Sequence, residues 1–149
     1  MSDIQNAFRL IGSLDLTSLS HDDTEEKIAA LCAKAVTPYG TTAAVCVYPE
    51  WVPLARKLLK KTPVKVAAVV NFPAGGNDFK LMKDEIKKGL SGGADEIDAV
   101  FPYRDFLAGN TDSCRRFLDI IQRECGKHTS KIILETGELN HVSTIAAAV

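Results

Sequence analysis

The chain has 149 residues, of which 46% are hydrophobic and 25% charged, with a formal net charge of −1. This composition is typical of one globular domain, and the balanced charge gives no electrostatic footprint for nucleic acid or an anionic membrane. No apolar run approaches the roughly 20 residues of a membrane span, and the first residues lack a signal-peptide pattern, so we expect a cytoplasmic protein without membrane or nucleic-acid partners.

The predicted elements alternate between helix and strand along the chain. Asp22 and Glu25 resemble a capping box that opens the first helix. Four later segments are apolar on both faces, as buried parallel strands are: Thr42–Tyr48, Lys65–Phe72, Glu96–Tyr103 and Lys131–Gly137. Helical periodicity marks the segments between them: Trp51–Lys61, Phe79–Leu90 and Thr111–Cys125. Regular alternation of this kind predicts a parallel sheet with helical crossovers.

The buried faces of the predicted helices follow from their apolar spacing. We expect these apolar residues to face the sheet: Leu54, Ala55, Leu58, Leu59, Phe79, Met82, Ile86, Leu90, Cys114, Phe117, Leu118, Ile121 and Cys125. The four cysteines form no CxxC pair and have no histidine at ligand spacing, so we predict free, buried thiols rather than zinc ligands or disulfides.

One carboxylate interrupts the apolar segment DEIDAVFPYR at residues 95–104. Burial of Asp98 is unfavourable unless it is paired or protonated, so it is either an anchor bound to a neighbouring lysine or a working acid/base. Lys65 and Lys131 stand at predicted strand starts; both fit solvated positions, and Lys131 could also reach inward. Asp15 fits a turn cap or a core pair, and Asn71 fits a ligand contact or a turn cap.

Five motifs together resemble the N-terminal part of the 2-deoxyribose-5-phosphate aldolase family. They are LDLTSL (14–19), TAAVCVYP (42–49), VVNFPAGG (69–76), GADEIDAVFPYR (93–104) and KIILETGEL (131–139). The resemblance implies a TIM-barrel class I aldolase that cleaves 2-deoxy-D-ribose 5-phosphate reversibly to glyceraldehyde 3-phosphate and acetaldehyde. The reaction proceeds through a lysine Schiff base, without metal or organic cofactor.

Residue roles carry over from the family by position. Asp98 matches the family's proton-transfer aspartate. The resemblance places four further residues in or beside the substrate pocket: Asp15, Thr17, Cys46 and Lys131.

A complete (β/α)8 barrel has about 250 residues. With LDLTSL as a short first strand, residues 1–149 make one truncated barrel domain of roughly five β/α units with a parallel sheet. No segment matches the one that carries the Schiff-base lysine, so we expect these residues alone to be inactive. Open sheet edges near LDLTSL and KIILETG favour a homo-oligomer in which copies cover each other.

The sequence leaves two alternatives open. The chain could be a non-catalytic βα fragment that serves as an assembly unit. It could also be a different α/β enzyme in which Asp98 and Glu135 act as an acid/base pair, although no nucleophile or oxyanion loop accompanies them.

Overall fold

A computed structural model describes residues 3–149, with side chains from residue 5 onward. The described residues form eight α-helices and a short 3-10 helix at Pro49–Trp51; the α-helices are α1 Asp3–Ile11, α2 Glu25–Lys34, α3 Val52–Leu59, α4 Phe79–Ser91, α5 Tyr103–Leu107, α6 Thr111–Cys125, α7 Thr136–Leu139 and α8 Val142–Ala148. The strands are β1 Asp15–Ser18, β2 Val36–Thr37, β3 Gly40–Thr41, β4 Ala44–Val47, β5 Lys65–Val70, β6 Glu96–Val100 and β7 Thr129–Ile133. No helix in residues 3–149 is long and apolar enough to cross a bilayer.

Five strands form one parallel sheet in the order β1-β4-β5-β6-β7. In a flat sheet, the outer strands β1 and β7 would lie about 19 Å apart, at about 4.8 Å per strand. Yet Nζ of Lys131 on β7 lies 2.5 Å from Oδ2 of Asp15 on β1. The sheet is therefore strongly curled, with these two side chains meeting across its concave face, as in part of a β/α barrel.

The helices cover the convex face of the sheet and bury the main apolar core. Ile28, Leu59, Ile86 and Phe117 contribute one large side chain each from α2, α3, α4 and α6, and each is at most 1% exposed. Gly89 of α4 lies so close to β5 that a Cβ there would come within 2.8 Å of Cβ of Ala68. The predicted parallel sheet with helical crossovers is confirmed.

Two of the leucines expected in this core are exposed instead. Leu58 is 44% and Leu118 is 48% exposed. Both lie at the margin of an apolar helix face, where spacing alone does not decide burial. Leu118 borders a cleft beside the edge strand β7, together with Ile132 and Leu134.

The ends of the predicted strands are wrong by one to four residues. The segment 42–48 forms a strand only over Ala44–Val47, and β6 ends at Val100 because Pro102 precedes the helix that starts at Tyr103. The last strand begins at Thr129 rather than Lys131 and ends at Ile133, ahead of α7. Lys131 is therefore in the middle of a strand, not at its start.

The first predicted helix start is also wrong. Helix α2 begins at Glu25, and its cap is Thr24, whose hydroxyl accepts a hydrogen bond from the backbone N–H of Lys27. Asp22 instead forms an ion pair with Nζ of Lys27 at 2.8 Å. Helices α1, α5 and α7 and the short antiparallel pair β2–β3 have no counterpart among the predicted elements.

The turn after β5 is fixed by side-chain and backbone contacts. Nδ2 of Asn71 donates to the carbonyl oxygens of Gly76 and Val100, both at 2.9 Å. Its backbone N–H donates to Glu85 at 2.8 Å. Gly75 has φ +57°, and a Cβ there would lie 2.4 Å from the carbonyl oxygen of Phe101. In the described structure Asn71 thus acts as a turn cap that joins β5, α4 and the end of β6.

Candidate functional site

Charged side chains line the concave face of the curled sheet. Alternate residues of a strand face the same side, and the strand register aligns Asp98 with Lys131 and Thr17 with Cys46. The ion pairs bring together four of these side chains around a single nitrogen: Asp15, Glu96, Asp98 and Lys131.

Lys131 is the centre of this cluster. Its Nζ lies 2.5 Å from Oδ2 of Asp15, 2.9 Å from Oε2 of Glu96 and 3.2 Å from Oδ1 of Asp98. Burial alone would lower the pKa of Lys131, but the hydrogen bonds to Asp15 and Glu96 and the nearby charge of Asp98 raise it above its ordinary value. Lys131 therefore remains an ammonium ion at neutral pH.

Asp98 is the least compensated carboxyl group in the cluster. It is 8% exposed, and its Oδ1 is buried without a properly oriented hydrogen bond, although Nζ of Lys131 is 3.2 Å away. Burial raises the pKa of Asp98 more than the charge of Lys131 lowers it, and the charge of Asp15 adds to the increase. A carboxyl group with a raised pKa and an unsatisfied oxygen is suited to exchanging a proton with a ligand.

Glu96 differs from Asp98 although both are buried on the same strand face. Oε1 of Glu96 accepts a hydrogen bond from Nζ of Lys65 at 2.9 Å, while Oε2 contacts Lys131. Burial opposes ionisation of Glu96, but the two lysines together lower its pKa below the ordinary value. Glu96 is therefore the firmly ionised carboxylate of the pair.

An apolar wall adjoins the charged cluster toward the carboxyl ends of the strands. Buried residues Cys46, Ala67 and Val69 pack there, and partly buried neighbours cover them: Leu19, Tyr48, Phe72 and Ile133. Cys46 lies beside Asp98, and burial, together with the Asp98 charge, raises the pKa of its thiol. The thiol is therefore a neutral part of the wall. The prediction of free, buried cysteines is confirmed at Cys32, Cys46, Cys114 and Cys125.

The structure brings together most, but not all, of the residues proposed from sequence. Asp15, Asp98 and Lys131 form the charged cluster, and Cys46 lies next to it. Thr17 is on the same face but exposed, and it makes no polar contact with the cluster among the side chains described.

Glu96 was not among the site residues proposed from the sequence. Its two-residue spacing from Asp98 predicts that both side chains lie on the same face of the strand, but this spacing does not indicate a role. Glu135, the alternative acid/base partner, has a left-handed backbone with φ +55°. No hydrogen bond or ion pair links it to Asp98 within residues 3–149.

A family model for DeoC/LacD family aldolases matches residues 9–145. The chain belongs to this aldolase family. The match covers all five strands of the curled sheet and every member of the charged cluster. Membership supports the aldolase class expected from the five sequence motifs.

Solved structures of similar proteins agree with this assignment. A protein from Coccidioides immitis assigned as a deoxyribose-phosphate aldolase is 28% identical with a TM-score of 0.85, over 95% of this chain and 54% of that one. One from Toxoplasma gondii ME49 with the same assignment is 29% identical with a TM-score of 0.83, over 97% of this chain and 56% of that one.

A third structure shares the fold at lower identity. The tetrameric structure of deoxyribose phosphate aldolase from Aeropyrum pernix is 23% identical with a TM-score of 0.75, over 95% of this chain and 59% of that one. The chain therefore spans 54–59% of the length of these three proteins. The expected fold, an incomplete TIM barrel of about five β/α units, is confirmed.

Proposed function

We propose that these residues supply the proton-transfer side of a class I deoxyribose-phosphate aldolase. In this proposal Asp98 exchanges a proton with the substrate during reversible cleavage of 2-deoxy-D-ribose 5-phosphate to glyceraldehyde 3-phosphate and acetaldehyde. The observation that carries the proposal is the buried Asp98 carboxyl group, which shares Lys131 with two other carboxyl groups and lies beside an apolar wall. A substrate hydroxyl group would provide a further hydrogen bond to it.

Lys131 supports this role but is a poor candidate for the Schiff-base amine. A lysine nucleophile needs a lowered pKa so that its amine is neutral. Three carboxyl groups surround Lys131 instead, and its pKa is raised. The hydrogen bond to Glu96 likewise raises the pKa of Lys65. We therefore propose that a lysine outside these 149 residues forms the Schiff base, and that this polypeptide alone does not catalyse the reaction.

Trapping with borohydride tests the proposal directly. The 149-residue polypeptide is incubated with acetaldehyde and borohydride and then weighed by mass spectrometry; we expect no stoichiometric adduct. A fusion of this chain to the part of the Coccidioides immitis protein that the match does not cover should form the adduct and cleave the sugar phosphate. Asp98→Asn in the fusion should preserve the adduct and abolish cleavage. A stoichiometric adduct on Lys131 of the unfused chain would contradict the assignment.

The open edges of the sheet support a second proposal, that copies of this chain associate. In the sheet described, β1 and β7 each pair with only one neighbouring strand. A cleft of about 240 Å³ beside β7 is lined mainly by apolar residues: Phe101, Leu118, Ile132, Leu134, Ala148 and Val149. Exposed strand edges and apolar surface favour association.

Light scattering at micromolar concentration tests this proposal, with Leu118→Glu as the disruptive variant. Leu81→Glu is the matched control because Leu81 is 56% exposed on α4, outside this cleft. We expect the oligomer to dissociate in the Leu118 variant only. A monomeric unsubstituted chain would refute the proposal.

A further inference from the structure

Glu96 links two lysines through its two carboxylate oxygens. Oε1 lies 2.9 Å from Nζ of Lys65, and Oε2 lies 2.9 Å from Nζ of Lys131. The Glu96 side chain is only 10% exposed, whereas the Lys65 side chain is 54% exposed. The contacts thus run from a solvated lysine on β5, through a buried carboxylate on β6, to the lysine that touches Asp98.

We propose that Glu96 is a positioning residue for proton transfer at Asp98. Anchored by Lys65 through one oxygen, Glu96 shares the ammonium group of Lys131 with Asp98 through the other, and so sets how much of that positive charge compensates the Asp98 carboxyl group. The role of Glu96 in catalysis rests on the aldolase function proposed above. The contacts themselves exist in this chain whatever the reaction is.

The balance of charge gives this arrangement its effect on Asp98. The charged or titratable groups around Asp98 come from all five strands of the sheet: Asp15 on β1, Cys46 on β4, Glu96 on β6 beside Asp98, Lys131 on β7 and, through its contact with Glu96, Lys65 on β5. Cys46 is neutral, so three carboxyl groups share two ammonium groups. Lys65 compensates Glu96 directly, and Lys131 is shared among all three carboxyl groups. The raised pKa of Asp98 and the lowered pKa of Glu96 agree with this division.

Replacing either Glu96 or Lys65 by the uncharged residue glutamine changes the net charge around Asp98, and the two replacements act in opposite directions. Glu96→Gln removes a negative charge and leaves Lys131 to Asp15 and Asp98, so ionised Asp98 is better compensated and its pKa should fall. Lys65→Gln leaves Glu96 without its anchor. Glu96 then draws more strongly on Lys131, so the pKa of Asp98 should rise.

Carboxyl ¹³C NMR titration of the 149-residue chain measures both effects, with the Asp98 resonance assigned by its loss in Asp98→Asn. Lys57→Gln, an exposed change on α3, is the control and should leave the Asp98 titration unchanged. Opposite shifts in the two variants are expected. Shifts of the same sign, or no shift in either, would overturn the proposal. If Glu96→Gln does not fold, the titration of Lys65→Gln tests the proposal alone. An Asp98 pKa that is unchanged or lowered in Lys65→Gln would then overturn the proposal.

The fusion described above separates this proposal from the aldolase function. There, Glu96→Gln should move the acid limb of the pH–rate profile to lower pH and leave KM unchanged. An unsubstituted fusion that forms no adduct and cleaves no sugar phosphate would count against the aldolase function only. The NMR titration would still decide whether Glu96 and Lys65 control Asp98.

Discussion

Replacement of Asp98 by asparagine should stabilise the folded chain at neutral pH. Oδ1 of Asp98 lies 3.2 Å from Nζ of Lys131, an attraction of about 5 kcal/mol at an effective dielectric constant of about 20. Asp15 and Glu96 contact the same nitrogen at 2.5 and 2.9 Å, so their bonded oxygens are within about 6 Å of Oδ1 of Asp98. Each repels ionised Asp98 by about 3 kcal/mol on the same scale.

Attraction and repulsion therefore nearly cancel, and the unfavourable burial of the Asp98 charge remains. Asparagine keeps the shape of the side chain and leaves two carboxylates with two ammonium groups. We expect Asp98→Asn to increase the free energy of unfolding by about 1–2 kcal/mol at pH 7.5. For a chain of this size, that corresponds to an increase in Tm of roughly 2–4 °C per kcal/mol.

The difference in unfolding free energy between Asp98→Asn and the unsubstituted chain should depend on pH, because the pKa of Asp98 is raised in the folded state. The folded state binds the proton more tightly than the unfolded state, so the contribution of Asp98 to stability is fully present below its unfolded pKa of about 3.9. That contribution is lost as pH rises through the folded pKa. The advantage of Asp98→Asn should therefore be largest at pH 7.5 and shrink as pH approaches 4.

Urea unfolding followed by circular dichroism, at one fixed protein concentration, measures the difference at both pH values. Glu96→Gln is the matched comparison, since it lies two residues away on the same face but removes a well-compensated carboxylate; it should destabilise the chain. A loss of stability in Asp98→Asn at pH 7.5, or a difference that does not change with pH, would refute the reasoning.

Two further predictions concern the turn after β5 and the apolar wall. Asn71→Ala should destabilise the chain by about 2–3 kcal/mol in urea unfolding, because two backbone carbonyl groups lose their donor; a change below 0.5 kcal/mol would contradict the proposed cap. The Cys46 thiol, 3% exposed and with a raised pKa, should react with a thiol reagent at pH 8 only at the rate of unfolding. Rapid labelling of Cys46 in the folded chain, located by peptide mass mapping, would contradict this prediction, because it would show that the reagent reaches the apolar wall without unfolding.

Local patterns predicted the central strands well because β4, β5 and β6 are buried almost throughout, on both faces. Apolar runs such as Lys65–Phe72 can be recognised without tertiary information. Strand ends are less predictable, since buried apolar residues continue past the last residue of the strand. Phe101, for example, is 3% exposed yet lies beyond β6.

The candidate site was only partly predictable for a different reason. The two-residue spacing of Glu96 and Asp98 places both on one face, and Lys131 was already a possible partner. The contact between Asp15 and Lys131 depends on the curl of the sheet, which brings the first and last strands together across its concave face. No spacing along the sequence contains that information.

The unfavourable burial of Asp98 indicates that the charged cluster has a role in function and not only in stability. A purely structural cluster would be stable with two lysines and two carboxylates, as Asp15, Lys65, Glu96 and Lys131 provide. Asp98 adds a third carboxyl group whose Oδ1 has no hydrogen bond. A buried carboxyl group in excess of the lysines around it, with a raised pKa, is typical of functional sites, where a ligand supplies a further partner. The same contacts keep Lys131 protonated, which favours positioning of Asp98 and disfavours nucleophilic attack by Lys131 itself.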